Sequence, residues 1–256
     1  MVRPGPMQRL RFLHIPKTAG TTMVHILRAQ YRSRGQFRFT GDADDDTRRY
    51  QALSEQNRER IELFAGHAPI TTGIGPADSC TTITILREPV SRVQSFCRHV
   101  SEGKSPYLLA EFPPARFDLD AFLWSGNDEL FNLQTKMLVN HRHSSAPWSA
   151  DLSDSKMLNS AVRNLFDRVV HFGLQEHFRE SVERFRSAFG WGPVRYTMRN
   201  HVRSGKHLQF REHHLQRIAE LNRLDIELYR IAAAQFLSER AGQEPVLALD
   251  AGPSPA

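Results

Sequence analysis

Residues 12–27, FLHIPKTAGTTMVHIL, combine an apolar run, a short polar loop and an amphipathic run. The apolar segment 9–15 ends at Pro16, and apolar residues recur with a helical period of roughly 3.6 from residue 21 onward. This pattern predicts a strand, a loop and a helix. The N-terminus of a helix presents unpaired N–H groups and partial positive charge, so such a loop is suited to holding an anion.

The predicted loop offers three kinds of group to an anion. A lysine supplies a mobile charge, small residues let the backbone approach the ligand, and threonine hydroxyls donate hydrogen bonds. The candidate ligand residues are Lys17, Thr18, Ala19, Gly20, Thr21 and Thr22. The loop is not a Walker A motif, G-x-x-x-x-G-K-[ST], because the lysine comes first. An ordinary strand–turn–helix with a threonine cap is the alternative.

Short apolar runs alternate with helical patterns along the rest of the chain. The segments predicted as strands are 9–15, 61–67, 81–87, 168–174 and 194–198. The segments predicted as helices are 21–32, a charged stretch ending near 60, 89–101, 118–125, 128–140, 154–166, 175–189 and a last stretch ending near 240. Strands separated by helices imply βαβ units, so we expect an α/β fold with a mostly parallel sheet.

Composition favours one domain with anionic partners. The chain has 256 residues, of which 40% are hydrophobic, and we expect a single domain at 9–241 between flexible ends at 1–8 and 242–256. The net charge of +6 favours nucleotides, acidic glycans, nucleic acid or acidic lipid, although an arginine-rich composition alone would also explain it. Two cysteines indicate a reducing compartment rather than a disulfide framework. We expect neither a signal peptide nor a membrane span.

Two motifs resemble those of one enzyme family. FLHIPKTAGTT (12–22) resembles the 5′-phosphosulfate-binding loop of sulfotransferases, particularly the branch of glycosaminoglycan uronyl 2-O-sulfotransferases and bacterial relatives. TITILREPVSRVQSF (82–96) resembles their 3′-phosphate-binding strand and helix. Weaker similarity at 66–67, 132–138, 169–185 and 221–232 extends the resemblance over roughly residues 10–240. The resemblance implies a three-layer α/β sandwich with a P-loop-like strand–loop–helix.

The resemblance assigns further residues to a nucleotide. Arg87 ends a predicted strand, and its planar guanidinium suits a 3′-phosphate. Ser95 matches the second 3′-phosphate ligand of the family. Ser204, Gly205 and Lys206 lie in a basic loop that would close over the nucleotide, unless it is an exposed turn. The alternative for Arg87 is an ion pair with an acid such as Glu88.

His67 is the candidate catalytic base. It follows a glycine at the end of a predicted strand, as the proton-accepting histidine of the uronyl 2-O-sulfotransferases does, and histidine titrates near neutrality. A hydrogen-bonded structural histidine is the alternative, and Glu62 on the same segment is an alternative base. We expect no metal site. DADDD (42–46) is read as a solvated helix cap, and HRH (141–143) lacks partner ligands.

The sequence therefore predicts a sulfotransferase that uses 3′-phosphoadenosine 5′-phosphosulfate (PAPS) and releases adenosine 3′,5′-bisphosphate. Lys17 and the N–H groups of 18–22 would stabilise the leaving phosphate. The acceptor would be a hydroxyl compound, such as a carbohydrate or small metabolite, bound by loops 68–79, 102–117 and 141–153. We expect a bacterial, cytoplasmic enzyme that does not bind nucleic acid.

Two other functions and three further questions stay open at this point. One alternative is a P-loop nucleotide kinase or other phosphoryl transferase, which would need Mg²⁺. The other is a non-catalytic binder of anionic polymers. The identity of the acceptor, the oligomeric state and the choice between a histidine and a carboxylate base also stay open.

Overall fold

A computed structural model describes residues 9–32, 35–139, 154–196 and 208–240. Its five strands form one sheet in the order β2-β3-β1-β4-β5, and every pair of neighbours is parallel. The strands are β1 Leu10–Leu13, β2 Gly35–Phe39, β3 Ile61–Gly66, β4 Thr81–Leu86 and β5 Val169–Leu174. The carboxyl ends of β3, β1 and β4 therefore lie side by side, and ligands of open parallel sheets bind at that edge.

Helices cover both faces of the sheet. They are α1 Gly20–Gln30, α2 Ala43–Gln51, α3 Glu55–Glu59, α4 Gly75–Asp78, α5 Pro89–Ser101, α6 Leu119–Leu123, α7 Leu133–Leu138, α8 Asp154–Asp167, α9 Phe178–Phe189, α10 Glu212–Leu221 and α11 Arg223–Arg240. No helix in the described ranges is long and apolar enough to cross a membrane.

The sheet separates two hydrophobic cores. On one face, Phe12 and Ile83 pack with α1 and α9. On the other, Leu13 and Leu86 pack with α7, α8 and α11. Successive strand residues point to opposite faces, so the central strands are buried on both sides and their sequences are almost continuously apolar. The predicted α/β sandwich with a parallel sheet is confirmed.

One strand was not predicted and another prediction was wrong. β2 is an edge strand of five residues, and Gln36 and Arg38 on its outer side are exposed, so its sequence GQFRF has a weak apolar signal. Residues 194–196, at the start of the predicted strand 194–198, are irregular. Val194 and Tyr196 pack against the α1–α9 core instead of a neighbouring strand, which explains their apolar character.

Several predicted helices are shorter than their periodicity suggested. The segment 128–140 contains a 3₁₀ turn at Asp128–Leu130 and then α7, because Asn132 adopts a left-handed conformation with φ 44°. The last helical stretch breaks at Asn222, between α10 and α11. The segments 1–8 and 242–256, predicted to be flexible ends, lie outside the described residues, and the extent of a single domain at 9–241 stays a prediction.

Candidate active site

The loop between β1 and α1 has a fixed and unusual shape. Lys17 and Ala19 both adopt left-handed conformations, with φ 70° and 66°, which cost about 1–2 kcal/mol each for residues with a side chain. Between them Thr18 is buried, and its Oγ1 donates to the Ile15 carbonyl oxygen at 2.9 Å. Turns of this kind direct backbone N–H groups into an anion-binding concavity.

The predicted role of the Thr18 hydroxyl needs correction. Its hydrogen is committed to Ile15 inside the loop, so Thr18 can serve an anion only through its backbone N–H. Thr22 is buried at the start of α1, whereas Thr21 is exposed on the side of α1 that faces β2 and β3. The three threonines therefore differ in burial, and the hydroxyl of Thr18 is turned into the loop.

Gly20 is required by a packing contact. A Cβ atom added there would lie 1.9 Å from His14 Cδ2 and 2.0 Å from His14 Nε2. The imidazole of His14 thus rests directly on the first residue of α1. Burial, followed by the nearby His67, holds the pKa of His14 well below its ordinary value, so this ring is neutral near pH 7.

The predicted 3′-phosphate arginine lies against the predicted 5′ loop. Arg87 follows β4, and its Nη1 donates to the Lys17 carbonyl oxygen at 3.0 Å. The alternative ion pair of Arg87 with Glu88 is not formed, and the Glu88 carboxylate instead accepts the N–H groups of Val90 and Ser91 at the start of α5. Burial lowers the pKa of Arg87, and Glu176 and Glu88 oppose that effect from a distance. The structure therefore joins the two predicted phosphate sites.

Positive charge is concentrated around this contact. Burial, then the charges of Arg87 and Lys104, lowers the pKa of Lys17 to about 8. Burial, then the charges of Lys17 and Lys104, lowers the pKa of His99 to about 4. Ser95 is half-buried one turn before His99 on the same side of α5, which places it toward the loop. A bound anion would relieve this mutual repulsion.

His67 lies at the same edge of the sheet, beside β1. Gly66 precedes it with φ 141°, and a Cβ atom there would lie 2.2 Å from the Phe39 carbonyl oxygen, so only glycine fits. His67 Nδ1 lies 2.9 Å from the His14 carbonyl oxygen. A carbonyl can only accept, so in the neutral ring Nδ1 carries the hydrogen and the lone pair lies on Nε2.

The alternative base, Glu62, lies at the wrong end of its strand. It is the second residue of β3, and Gly66 is the last. The two residues are four positions apart along the strand, which separates them by roughly 13 Å. Glu62 is therefore near the amino-terminal edge of the sheet, away from the loop and Arg87.

A cavity of about 410 Å³ opens beside His67. It lies between α1, β2 and β3, and its lining is basic, with no acidic residue among those that the structure describes. The polar residues that line it are His14, Thr21, His25, Arg28, Gln36, Arg38 and His67. The sequence signal for this cavity was His25 and Arg28 of α1 and Arg38 of β2, which together form no recognisable motif.

The predicted acceptor loops do not line this cavity. Residue Ile70 of the loop 68–79 packs in the core on the opposite face, with α7 and α8. Arg11 holds that loop in place by donating to the Ile70 carbonyl oxygen at 2.7 Å and pairing with Asp78 at 3.3 Å. The loop 102–117 contributes no lining residue either, and 141–153 lies outside the described residues. Ser204, Gly205 and Lys206 of the predicted covering loop also lie outside them.

One cluster in the described ranges has the composition of a metal site. Ligand atoms of Asp120, His213 and His214 lie within 4.8 Å of one another. However, His214 Nδ1 accepts the Arg211 N–H at 3.0 Å, so its Nε2 carries the hydrogen and donates to Asp120 Oδ1 at 3.0 Å. A metal would need that nitrogen's lone pair. The arrangement is a hydrogen-bonded carboxylate–histidine cluster.

The acidic run 42–46 behaves as a helix cap. Asp42 accepts the N–H of Asp45 at 2.9 Å, and Asp46 accepts the N–H of Thr40 at 2.8 Å. These contacts match the reading of this run as a cap. The HRH segment at 141–143 lies outside the described residues.

A parallel sheet whose first loop and fourth strand meet at a cationic site defines an α/β protein with positive charge at the carboxyl edge of its sheet. No family model matches the chain. Its sequence is 31% identical to heparan-sulfate 6-O-sulfotransferase 2 of Gallus gallus in an alignment of 189 residues. That alignment covers 63% of this chain and 45% of that protein. It is 32% identical to human heparan-sulfate 6-O-sulfotransferase 1 over 181 residues, or 60% of this chain and 43% of that protein.

These similarities confirm the predicted resemblance to the PAPS-dependent sulfotransferase family. The relatives named above are 6-O-sulfotransferases, so the uronyl 2-O branch is not specified. The chain spans less than half the length of these relatives. Among solved structures, a mouse sulfotransferase complexed with PAP aligns with a TM-score of 0.42 and 14% identity, covering 83% of this chain and 62% of that one.

Proposed function

We propose that this protein transfers a sulfuryl group from PAPS to a hydroxyl of a carbohydrate. The observation that carries the proposal is the contact between Arg87 Nη1 and the Lys17 carbonyl oxygen. It makes one continuous cationic site from two segments that resemble the binding sites for opposite ends of PAPS. Sequence similarity to heparan-sulfate 6-O-sulfotransferases supports the same reaction.

In this proposal the two phosphate groups of the donor have separate partners. The 5′-phosphate lies on the backbone N–H groups of residues 18–22 and on Lys17. The 3′-phosphate lies on Arg87 and Ser95. Arg87 contributes a planar guanidinium that can bind two phosphate oxygens at once. Neither role requires a metal ion, and metal independence is part of the proposal.

His67 starts the reaction at its Nε2 atom. It removes the hydrogen of the acceptor hydroxyl while that oxygen attacks the sulfur of the donor. A new bond forms between the acceptor oxygen and the sulfur. The bond between the sulfur and the 5′-phosphate oxygen breaks, and its electron pair stays on the phosphate oxygen. Lys17 and the loop N–H groups oppose that developing charge, which is where fixed donors contribute most to catalysis.

The cavity beside His67 is the proposed acceptor site. It adjoins the atom proposed to take the proton, and Arg28 and Arg38 make it attractive to an anionic sugar. A carboxylated or sulfated glycan fits this lining better than a neutral metabolite does. The bacterial source, the cytoplasmic location and the lack of nucleic-acid binding stay proposals of the sequence.

A calorimetric titration tests the donor site. Adenosine 3′,5′-bisphosphate should bind in the presence of EDTA, more tightly than ATP with Mg²⁺, and Arg87→Ala should weaken it. The exposed Arg32→Ala is the matched control, and it should bind like the unmodified protein. Preference for ATP with Mg²⁺ would support a phosphoryl transferase instead. Binding of heparin without either nucleotide would support a non-catalytic binder.

A further inference from the structure

A buried glutamine holds the backbone of Arg87. Gln134 Oε1 accepts the Arg87 N–H at 2.9 Å, and Gln134 Nε2 donates to the Arg87 carbonyl oxygen at 2.8 Å. The side chain of Gln134 is only 1% exposed. One amide therefore satisfies both backbone groups of the residue that follows β4. This contact fixes the direction in which the Arg87 side chain leaves the sheet.

Gln134 is itself held by an aspartate from another helix. The N–H groups of Gln134 and Thr135 donate to the Asp225 carboxylate at 3.0 and 2.7 Å. Asp225 is fully buried in the first turn of α11. Hydrogen bonds to a buried charge are stronger than neutral ones, so the start of α7 is rigidly placed.

The two helices hold each other at their first turns. Asn132 Oδ1 accepts the N–H groups of Leu224 and Asp225 at 3.0 and 3.2 Å. Asn222 Oδ1 accepts the Asn132 N–H at 3.0 Å. Thus each helix supplies acceptors for the unpaired N–H groups of the other. We call Asn132, Gln134, Asn222 and Asp225 the interhelical clamp.

The far end of Arg87 is also held, which leaves part of its guanidinium for a ligand. Nη1 donates to the Lys17 carbonyl oxygen. Nε is buried and has no hydrogen-bond acceptor among the residues that the structure describes. A buried, unsatisfied donor is costly, and an anion beside it would satisfy it.

We infer that Gln134 is a positioning residue for recognition of the 3′-phosphate, acting through Arg87. The inference rests on the proposed function, because it needs a nucleotide with a 3′-phosphate. Arg87 has a long side chain with many rotamers, and a fixed backbone reduces the entropy lost when it binds. Without the clamp, Arg87 would remain present but would bind the 3′-phosphate less well.

The test compares two nucleotides that differ only in the 3′-phosphate. Calorimetry gives the affinities of adenosine 3′,5′-bisphosphate and adenosine 5′-phosphate for the unmodified protein, Gln134→Leu and Gln134→Asn. Gln134→Leu removes both hydrogen bonds. Gln134→Asn keeps a polar amide but is too short to reach Arg87, and it is the variant to use if Gln134→Leu does not fold. Ser181→Ala is the matched control, since Ser181 also bonds to the N–H and carbonyl of one residue, Leu174, at the end of a strand.

We expect the affinity gained from the 3′-phosphate to fall about tenfold in both Gln134 variants, the size of one or two lost hydrogen bonds. The affinity of both Gln134 variants for adenosine 5′-phosphate should stay within about twofold of that of the unmodified protein. The affinities of Ser181→Ala for both nucleotides should do the same. An equal loss for both nucleotides in folded variants would overturn the inference, as would no loss for either. Failure of the unmodified protein to distinguish the nucleotides would instead overturn the proposed function.

Discussion

The imidazoles of His14 and His67 lie side by side, with ring centroids 4.2 Å apart, and His67 Nδ1 contacts the His14 backbone oxygen. This relationship follows from the parallel pairing of β1 with β3, which aligns Leu13 with Gly66. It orients the His67 ring and selects the tautomer of the neutral imidazole in which Nδ1 carries the hydrogen. Four predictions concern this pair and the site around it.

Replacing His67 should greatly reduce turnover without weakening nucleotide binding. In His67→Ala we expect turnover to fall by about 10²–10⁴-fold, the usual contribution of a general base. The affinity for adenosine 3′,5′-bisphosphate should stay within about twofold, since His67 is not among the proposed phosphate ligands. Sulfate transfer from labelled donor and calorimetry measure the two effects. His171→Ala, on the edge strand β5, is the control, and normal turnover in His67→Ala would contradict the assigned role.

Enlarging Gly20 should displace the His14 ring. The added Cβ of Gly20→Ala would overlap His14 Cδ2, so we expect a loss of about 1–3 kcal/mol in the free energy of unfolding and reduced turnover. Chemical denaturation measures the loss. Gly75→Ala is the control, because nothing lies within 4 Å of the added atom there.

A second substitution separates this overlap from other effects of the alanine. Combining Gly20→Ala with His14→Ser removes the ring that the new methyl group meets, so the two losses in unfolding free energy should not add. Strict additivity would show that the close contact is not the cause.

Replacing Lys17 with methionine should raise stability while weakening ligand binding. The pKa of Lys17 is lowered to about 8, so holding its charge in the folded state is unfavourable below that pH. The unfolded chain binds the extra proton between pH 8 and 10.5, so the unmodified protein gains stability as pH rises through that range. Lys17→Met should therefore unfold several degrees higher at pH 7, with an advantage that disappears above pH 10.5.

The same variant should lose most of the thermal stabilisation by adenosine 3′,5′-bisphosphate. A melting series from pH 6 to 11, with and without nucleotide, measures both effects in one experiment. Lys156→Met, on the exposed side of α8, should change neither. A lower melting temperature for Lys17→Met at pH 7 would contradict the reasoning from burial and charge.

Removing the arginines of the cavity should weaken binding of the acceptor and leave binding of the donor unchanged. For Arg28→Ala and Arg38→Ala we expect KM for an anionic glycan to rise about threefold to tenfold, because a charged contact to the acceptor is lost. KM for the donor should not change. Arg32→Ala, an exposed arginine just beyond α1, is the control. KM for a neutral polysaccharide should change with none of these substitutions. An equal rise in KM for neutral and anionic acceptors would argue against recognition of charge in this cavity.

Local patterns predicted the parts of the site that are continuous in sequence. The apolar run before Pro16, the small residues after Lys17 and the helical period beyond them are all within about twenty residues, and β1, the loop and α1 follow that pattern. The strand before Arg87 was equally clear, because a buried parallel strand reads as an unbroken run of β-branched and apolar residues. Edge strand β2 was missed, since two of its five residues, Gln36 and Arg38, are exposed and interrupt the apolar run.

Spacing along the chain cannot report which distant segments become neighbours. Arg87 meets Lys17 because β4 lies beside β1, and His67 meets His14 because β3 lies on its other side. Gln134 and Asp225 are brought together by helix packing across 91 positions of sequence. The basic cavity combines residues of α1, β2 and β3, none of which forms a motif alone.

The amino-acid order was thus sufficient for the loop, its lysine and the α/β class, since each depends on interactions between near neighbours. Strand order, the tautomer of His67, the backbone support of Arg87 and the basic cavity needed the folded chain. Each of those features is a contact between segments whose proximity arises from burial of apolar surface on both faces of the sheet. That burial constrains the pattern of apolar residues but does not identify which strands pair.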